Sequence, residues 1–312
     1  MKKRKLKFKN ILIALVILFI IIFSIVKFFG YIRYKNSNYY KLEVLGYNKE
    51  EITYIESLDN NLIEDFLNTE YEPIKIDFMK GKYFIYKNLE EYLEYYKDNY
   101  KEVDEVITLV NTNSYKPFYS EIVETDISKN TLVLTNKYNK LDAEFEPKDL
   151  VNISLQYSYS NKQVTKETND AYFQMCQDAK KNYNLTLVAT SGYRDYELQE
   201  GLYEMYVSQS GEKTADTFSA RPGHSEHQTG LAIDILSLKS NMSNFHETAE
   251  YEYLKDNSYK FGFILRYPET KEHITGYKFE PWHYRYVGTE VAKYIYENDI
   301  TFDEYYAYYL NK

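Results

Sequence analysis

Arg221-Pro-Gly-His-Ser-Glu-His-Gln-Thr-Gly-Leu-Ala-Ile-Asp234 is the stretch from which the fold can be read. Pro222 and Gly223 open it as a turn, and Gly230 lets the backbone bend. Ile233-Asp-Ile-Leu236 closes it with the composition of a short strand. His227 and Asp234 stand seven residues apart, and Glu280-Pro-Trp-His283 follows about fifty residues on. A catalytic zinc takes three protein ligands and leaves a fourth position for water. His227, Asp234 and His283 supply that count. Asp234 lies between two isoleucines, where a carboxylate facing a core is costly unless its charge is compensated. A metal compensates it; the competing reading is a surface residue on a half-exposed strand.

The residue before a proline is pushed into extended geometry. Glu280 therefore sits on extended chain, close to His283, and both can face one metal. A carboxylate beside zinc that is not a ligand can act as general base for the attacking water. Trp282 reads both as a wall of the site and as a core aromatic. Arg194 follows a strand end and Gly192, and its planar fork matches a carboxylate bidentately. His224 reads as a loop residue or as support for the ligands, whereas His246 and His273 stand in polar surroundings and read as surface residues.

Outward from this stretch, helices and strands alternate in blocks. Helical spacing runs over Glu167 to Tyr183, from Asp195 past Tyr206, over Glu250 to Lys260 and over Val287 to Tyr296. Strand signals lie at 131–136, 150–153, 185–190, 233–236 and 261–265, and 212–226 reads as a loop. The expected fold is α+β, a mostly antiparallel sheet flanked by helices. Cys176 is the single cysteine; it falls in an apolar helical pattern and reads as a buried hydrophobe rather than a nucleophile. Upstream, helices are expected from Glu50 to Leu58, Asn61 to Leu67 and Asn88 to Tyr100, with β character at 71–86. No histidine precedes His224, so this part reads as a small helical module that spaces or positions the rest.

Residues 11–29 form a nearly unbroken apolar run behind Lys2, Lys3, Arg4, Lys5, Lys7 and Lys9. The run approaches the ~20 residues that span a bilayer, and the basic flank predicts a cytoplasmic N-terminus. Bulky Phe28, Phe29, Tyr31 and Ile32 follow it, so an uncleaved signal-anchor is favoured over a cleaved signal peptide. The expected organisation is a basic tail at 1–10, a transmembrane segment at 11–29, a stalk at 30–40, a helical module at 41–116 and a catalytic domain at 117–312. The net charge is −9 despite that basic tail, which argues against nucleic acid as a partner. The 37 tyrosines are spread along the chain and read as compositional bias.

Ser191-Gly-Tyr-Arg194, Ser225-Glu-His-Gln-Thr-Gly-Leu-Ala-Ile-Asp234 and Glu280-Pro-Trp-His-Tyr-Arg-Tyr-Val-Gly288 together resemble the VanY-type D-alanyl-D-alanine carboxypeptidases. These are zinc peptidases related to the VanX dipeptidase and the hedgehog amino-terminal fold. The likeness covers roughly 117–300 and extends to 261–268 and Thr275-Gly-Tyr277. It implies one Zn²⁺ held by His227, Asp234 and His283, with Glu280 as base and Arg194 on the substrate's terminal carboxylate. Ser225 and Gln199 are further substrate-binding candidates. It also implies that peptidoglycan stem peptides lose a terminal D-alanine, and the basic-then-apolar N-terminus puts that site on the wall side of the membrane. No obligate protein partner is evident. At Tyr253 the family pattern has Trp. A peptidoglycan endopeptidase and a non-catalytic wall-binding protein are the alternatives; D,D- and L,D-specificity are not separated by these residues.

Overall fold

The computed structural model describes residues 2–311. Met1 and Lys312 lie outside the described residues, as do the side chains of Lys2, Lys3, Arg4, Lys5 and Lys7 in the basic tail. The chain divides into two compact units, Met1–Val103 and Asp104–Lys312.

The first unit is helical. Helix α1 (Lys2–Lys35) continues through most of the expected stalk. Its portion Phe8–Lys35, 28 residues, is long and apolar enough to cross a membrane. Four helices follow: α2 (Asn38–Leu45), α3 (Lys49–Ile55), α4 (Asn60–Asn68) and α5 (Ile74–Lys80). Ser37, Asn48 and Asp59 cap the first three, each accepting hydrogen bonds from the first-turn N–H groups. Leu42, Ile52, Ile55, Ile63, Phe66 and Ile76 close a common core. The β character expected at 71–86 is not realised, because α5 lies there. Pro73, at φ −61°, presets the first turn. Packing of Ile76 and Phe78, and an ion pair from the buried Lys75 to the partly exposed Asp65, then override the strand preference of isoleucine. Helix α6 (Leu89–Asn99) completes the unit.

The second unit begins with α7 (Val103–Asn111). Two small strand pairs follow, β1 (Val123–Glu124) with β2 (Asn139–Lys140), and β3 (Leu150–Asn152) with β4 (Gln163–Thr165). The expected strand at 131–136 is absent. A 3₁₀ segment ends at Leu132, and buried irregular chain continues to Asn136. With no neighbouring strand, its carbonyls are satisfied by a side chain: Arg285 donates to Thr131 O at 3.0 Å and Val133 O at 2.7 Å.

Helix α8 (Lys166–Tyr183) leads into β5 (Leu187–Ser191), and α9 (Tyr196–Ser210) and the short α10 (Glu212–Ala215) precede β6 (Ala232–Ser237). Helix α11 (Ala249–Asn257), β7 (Phe263–Leu265), α12 (Glu272–Thr275), β8 (His283–Tyr286), α13 (Thr289–Asn298) and α14 (Phe302–Tyr305) complete the chain order. The main sheet runs β5-β6-β8-β7, antiparallel throughout. Met175, Cys176 and Ala179 of α8 pack with Leu187, Ile233, Ile235, Phe263 and Tyr284 in one core. Burial pushes the Cys176 thiol up to about 12, in keeping with a packing role. Tyr253, where the family pattern has Trp, sends its hydroxyl to Asp178 Oδ2 at 2.8 Å and so ties α11 to α8. The second unit is thus an α+β domain around an antiparallel sheet, preceded by a helical unit that carries one long apolar helix.

Candidate active site

Side chains alternate along a strand. Ile233 and Ile235 of β6 face the core, so Asp234 emerges on the opposite face, buried at 4% exposure. The surface reading of Asp234 is thereby excluded. The β6–β8 register sets Asp234 directly opposite His283, and the β5–β6 register sets it opposite Ser191. His227 comes from a 3₁₀ turn, Glu226–Thr229, whose start is capped by Ser225 Oγ. Gly230 ends that turn at φ +66°, where a Cβ would press against Leu150 and Thr165 at 3.1 and 3.2 Å.

The proton positions on the two imidazoles follow from their outer partners. His227 Nδ1 donates to Gly192 O at 2.7 Å, which leaves a lone pair on Nε2. That Nε2 lies 3.3 Å from Asp234 Oδ1. His283 Nε2 faces Glu226 Oε2 at 3.3 Å, and its Nδ1 lies 3.3 Å from the same Asp234 Oδ1. Three electron-rich atoms, one from each of these residues, lie within 4.8 Å of one another. Asp234 Oδ1 is buried and makes no hydrogen bond of good geometry. Such a cluster requires positive charge at its centre. A proton on His283 is one source: burial alone would lower its pKa, but hydrogen bonding to Asp234 and Glu226 outweighs that and lifts it to about 9. A divalent cation is the better one, because it satisfies all three donors together. Burial and the nearby Arg194 hold His227 neutral, at about 4, as a ligand requires. Two histidines and one carboxylate are a donor set that zinc accepts.

Glu280 Oε2 stands 3.7 Å from His283 Nδ1, on a turn closed by the His283 N–H to Glu280 O bond at 3.1 Å. Burial raises its pKa to about 7, which Asp234 favours and His283 opposes. Arg194 Nη1 lies 4.0 Å from Asp234 Oδ2 and donates to Ser191 Oγ at 3.3 Å, while its Nε is buried without a partner. Gln199 donates to Ala220 O at 2.7 Å and leaves Oε1 unpaired. These residues and Ser225 line one cleft of about 390 Å³ with the three metal-donor residues. Trp282 lines it too while packing on the core, so both readings of it hold. Gly192 is tightly constrained: a Cβ there would fall 2.4 Å from Gln163 O. Of the other histidines, His224 is buried beneath the loop with Nδ1 2.7 Å from Asn136 O, and His246 and His273 are exposed.

Sequence reasoning passed over the charged groups buried around the cleft. Glu226 is fully buried and is bound by Arg266 and Arg285, themselves fully buried. Lys137 is also buried, its ammonium against the Tyr119 and Tyr277 rings, and burial lowers its pKa to about 7. Glu226 stood within the first stretch quoted, but a charged residue beside a ligand carries no period that marks it as buried.

A family model for VanY, D-alanyl-D-alanine carboxypeptidase, matches residues 161–289. The bifunctional D-Ala-D-Ala dipeptidase and carboxypeptidase VanXYC of Enterococcus gallinarum is 34% identical over 184 residues, 57% of this chain and 95% of that protein. The chain belongs to the VanY family. YodJ of Bacillus subtilis (strain 168) is 44% identical over 185 residues, 57% of this chain and 67% of that protein. A D-alanyl-D-alanine carboxypeptidase of Enterococcus faecalis (strain ATCC 700802 / V583) is 36% identical, over 56% of this chain and 65% of that protein. The chain therefore spans about two thirds of the length of these last two relatives. Among solved structures, the LdcB LD-carboxypeptidase superposes with a TM-score of 0.57 at 42% identity, over 61% of this chain and 91% of that one.

Proposed function

We propose that this member of the VanY family is a membrane-anchored zinc carboxypeptidase that removes the terminal D-alanine from peptidoglycan stem peptides. The observation that carries the reading is the convergence of His227 Nε2, Asp234 Oδ1 and His283 Nδ1, with Glu280 beside them in a single cleft. Zinc bound by the three would polarise the scissile carbonyl and acidify water. Glu280 takes a proton from the attacking water and returns it to the departing amine of D-alanine as the C–N bond breaks. Burial, which raises its pKa to about 7, suits both halves of that task. Arg194 reaches the cleft with an unpaired Nε and binds the substrate's terminal carboxylate, with Ser225 and Gln199 as polar contacts beside it.

The 28-residue apolar stretch of α1 anchors the protein, and the basic residues before it hold the N-terminus in the cytoplasm, so the second unit faces the wall. The decisive experiment is mass spectrometry of defined muropeptides, with and without chelator. Release of D-alanine from pentapeptide or tetrapeptide stems, abolished by chelation, is expected. Absence of release from both would sink the reading. An endopeptidase would cut an amidated substrate as readily as the free acid.

A further inference from the structure

A metal-bound imidazole needs an acceptor for its outer N–H, and that acceptor sets both its orientation and its basicity. The two histidines here have different ones. His227 uses a neutral backbone carbonyl, Gly192 O, at 2.7 Å. His283 uses a carboxylate, Glu226 Oε2, at 3.3 Å. The other oxygen of Glu226 is committed elsewhere: Oε1 accepts from Arg266 Nε at 2.7 Å and from Arg285 Nη1 at 2.8 Å. Oε2 is thus left for His283.

Both arginines are anchored independently of Glu226. Arg285 also donates to Thr131 O, Val133 O and Tyr286 O. Arg266 Nη1 donates to Asp303 Oδ2 at 2.6 Å, and Asp303 Oδ1 accepts from Asn136 Nδ2 at 2.7 Å. Two acids and two arginines form a neutral cluster whose side chains are at most 2% exposed. Its members come from the 3₁₀ turn, the end of β7, β8 and α14. We propose that Glu226 is the positioning residue for His283, and that Arg266, Arg285 and Asp303 hold its carboxylate in place against that imidazole. The inference rests on the zinc reading above, because it concerns how one of the three donors is presented.

The arginines do more than orient. Two guanidiniums on one oxygen balance the charge of the Glu226 carboxylate inside the core. A carboxylate behind His283 strengthens its Nδ1 as a donor to the metal.

The test measures metal affinity and not turnover. Full-length wild-type protein and the variants Glu226→Gln and Glu226→Asp, in detergent, are titrated with zinc against a chromophoric chelator. They are then loaded with cobalt(II) for visible absorption. Glu226→Gln removes the charge, whereas Glu226→Asp keeps the charge for the arginines but draws it back from His283. The expected result is one zinc per wild-type chain and an affinity weaker by about 10–100-fold in the variants, with a shifted cobalt spectrum and a native near-UV circular dichroism signal. If Glu226→Gln does not fold, Glu226→Asp carries the test. A folded variant with wild-type affinity and cobalt spectrum overturns the proposal. A wild-type chain that binds no zinc overturns the metal reading instead.

Discussion

On the cleft side of His283 the polar groups are left open, and on the far side they are closed. Facing the cleft, Asp234 Oδ1, Arg194 Nε and Gln199 Oε1 are buried and unpartnered. Behind His283, Glu226, Arg266, Arg285 and Asp303 exchange hydrogen bonds of 2.6–2.8 Å, and only Arg266 Nη2 is left over. A buried unpaired polar atom costs about 1–3 kcal/mol. Three such atoms on the face that meets metal and substrate are open to partners from outside the chain. Satisfying the groups behind it holds that face still. Rigidity and reactivity are thus divided between the two sides of one imidazole.

Several substitutions probe the two sides. On the open side, Glu280→Gln should lower kcat by about 10²–10⁴-fold, the usual contribution of a positioned general base, while bound zinc measured by metal analysis stays at the wild-type level. Loss of zinc in that variant would make Glu280 a ligand and redraw the open side. On the closed side, Arg266→Met leaves Glu226 and Asp303 short of a partner. Removing one member of a buried ion pair costs about 3–5 kcal/mol, to be read from denaturant unfolding. An unchanged midpoint would mean that the closed side holds nothing.

A smaller effect is expected from the substrate. Amidating its C-terminus should cut kcat/KM by about 10–100-fold, the worth of a charge-assisted hydrogen bond of ~1.5–3 kcal/mol. Arg194→Ala should erase the difference between acid and amide; a difference that survives would remove Arg194 from the carboxylate site.

His224, bonded to Asn136 O next to the closed side, gives a pH signature. Burial lowers the His224 pKa from 6.5 to about 4, so the unfolded chain binds the proton first. Its contribution to stability is fully present above pH 6.5 and is lost as pH falls through 4. The full loss is about 3 kcal/mol, because each tenfold change in proton affinity is worth ~1.4 kcal/mol. Urea midpoints from pH 7 to pH 4 should fall less steeply in His224→Gln; parallel slopes would rule His224 out as the acid-sensitive group. Away from both sides, Tyr253→Phe loses the hydrogen bond to Asp178 and should cost about 1 kcal/mol. A larger loss would show that α11 and α8 depend on that hydroxyl more than on their apolar contact.

The residues facing the cleft were readable because their types and order carry chemistry. His227, Asp234, Glu280 and His283 each have few bland roles on strands and turns, and all four line one cleft with Arg194, Gln199 and Ser225. The closed side was not readable. Arginine and glutamate are commonly solvated, and nothing local distinguishes Arg266 and Arg285 from surface residues, although both are at most 1% exposed. The misread strand at 131–136 belongs to the same failure. Its apolar and β-branched composition is real, but the partner for its carbonyls is the Arg285 side chain rather than a neighbouring strand. The β character at 71–86 gave way to α5 because burial of Ile76 and Phe78 outweighs a propensity difference within ~1 kcal/mol.

Taken alone, the sequence determined the α+β class of the second unit, the long apolar helix and the three residues that could hold a metal. Those depend on period, on turn residues and on side-chain chemistry, which are local. Only the tertiary structure decided that Asp234 lies opposite His283, that one oxygen of Asp234 is left without a hydrogen bond, and that a neutral cluster of four charges stands behind the site. Register and burial bring together residues far apart in the chain, and whether a charge is paired depends on those distant neighbours.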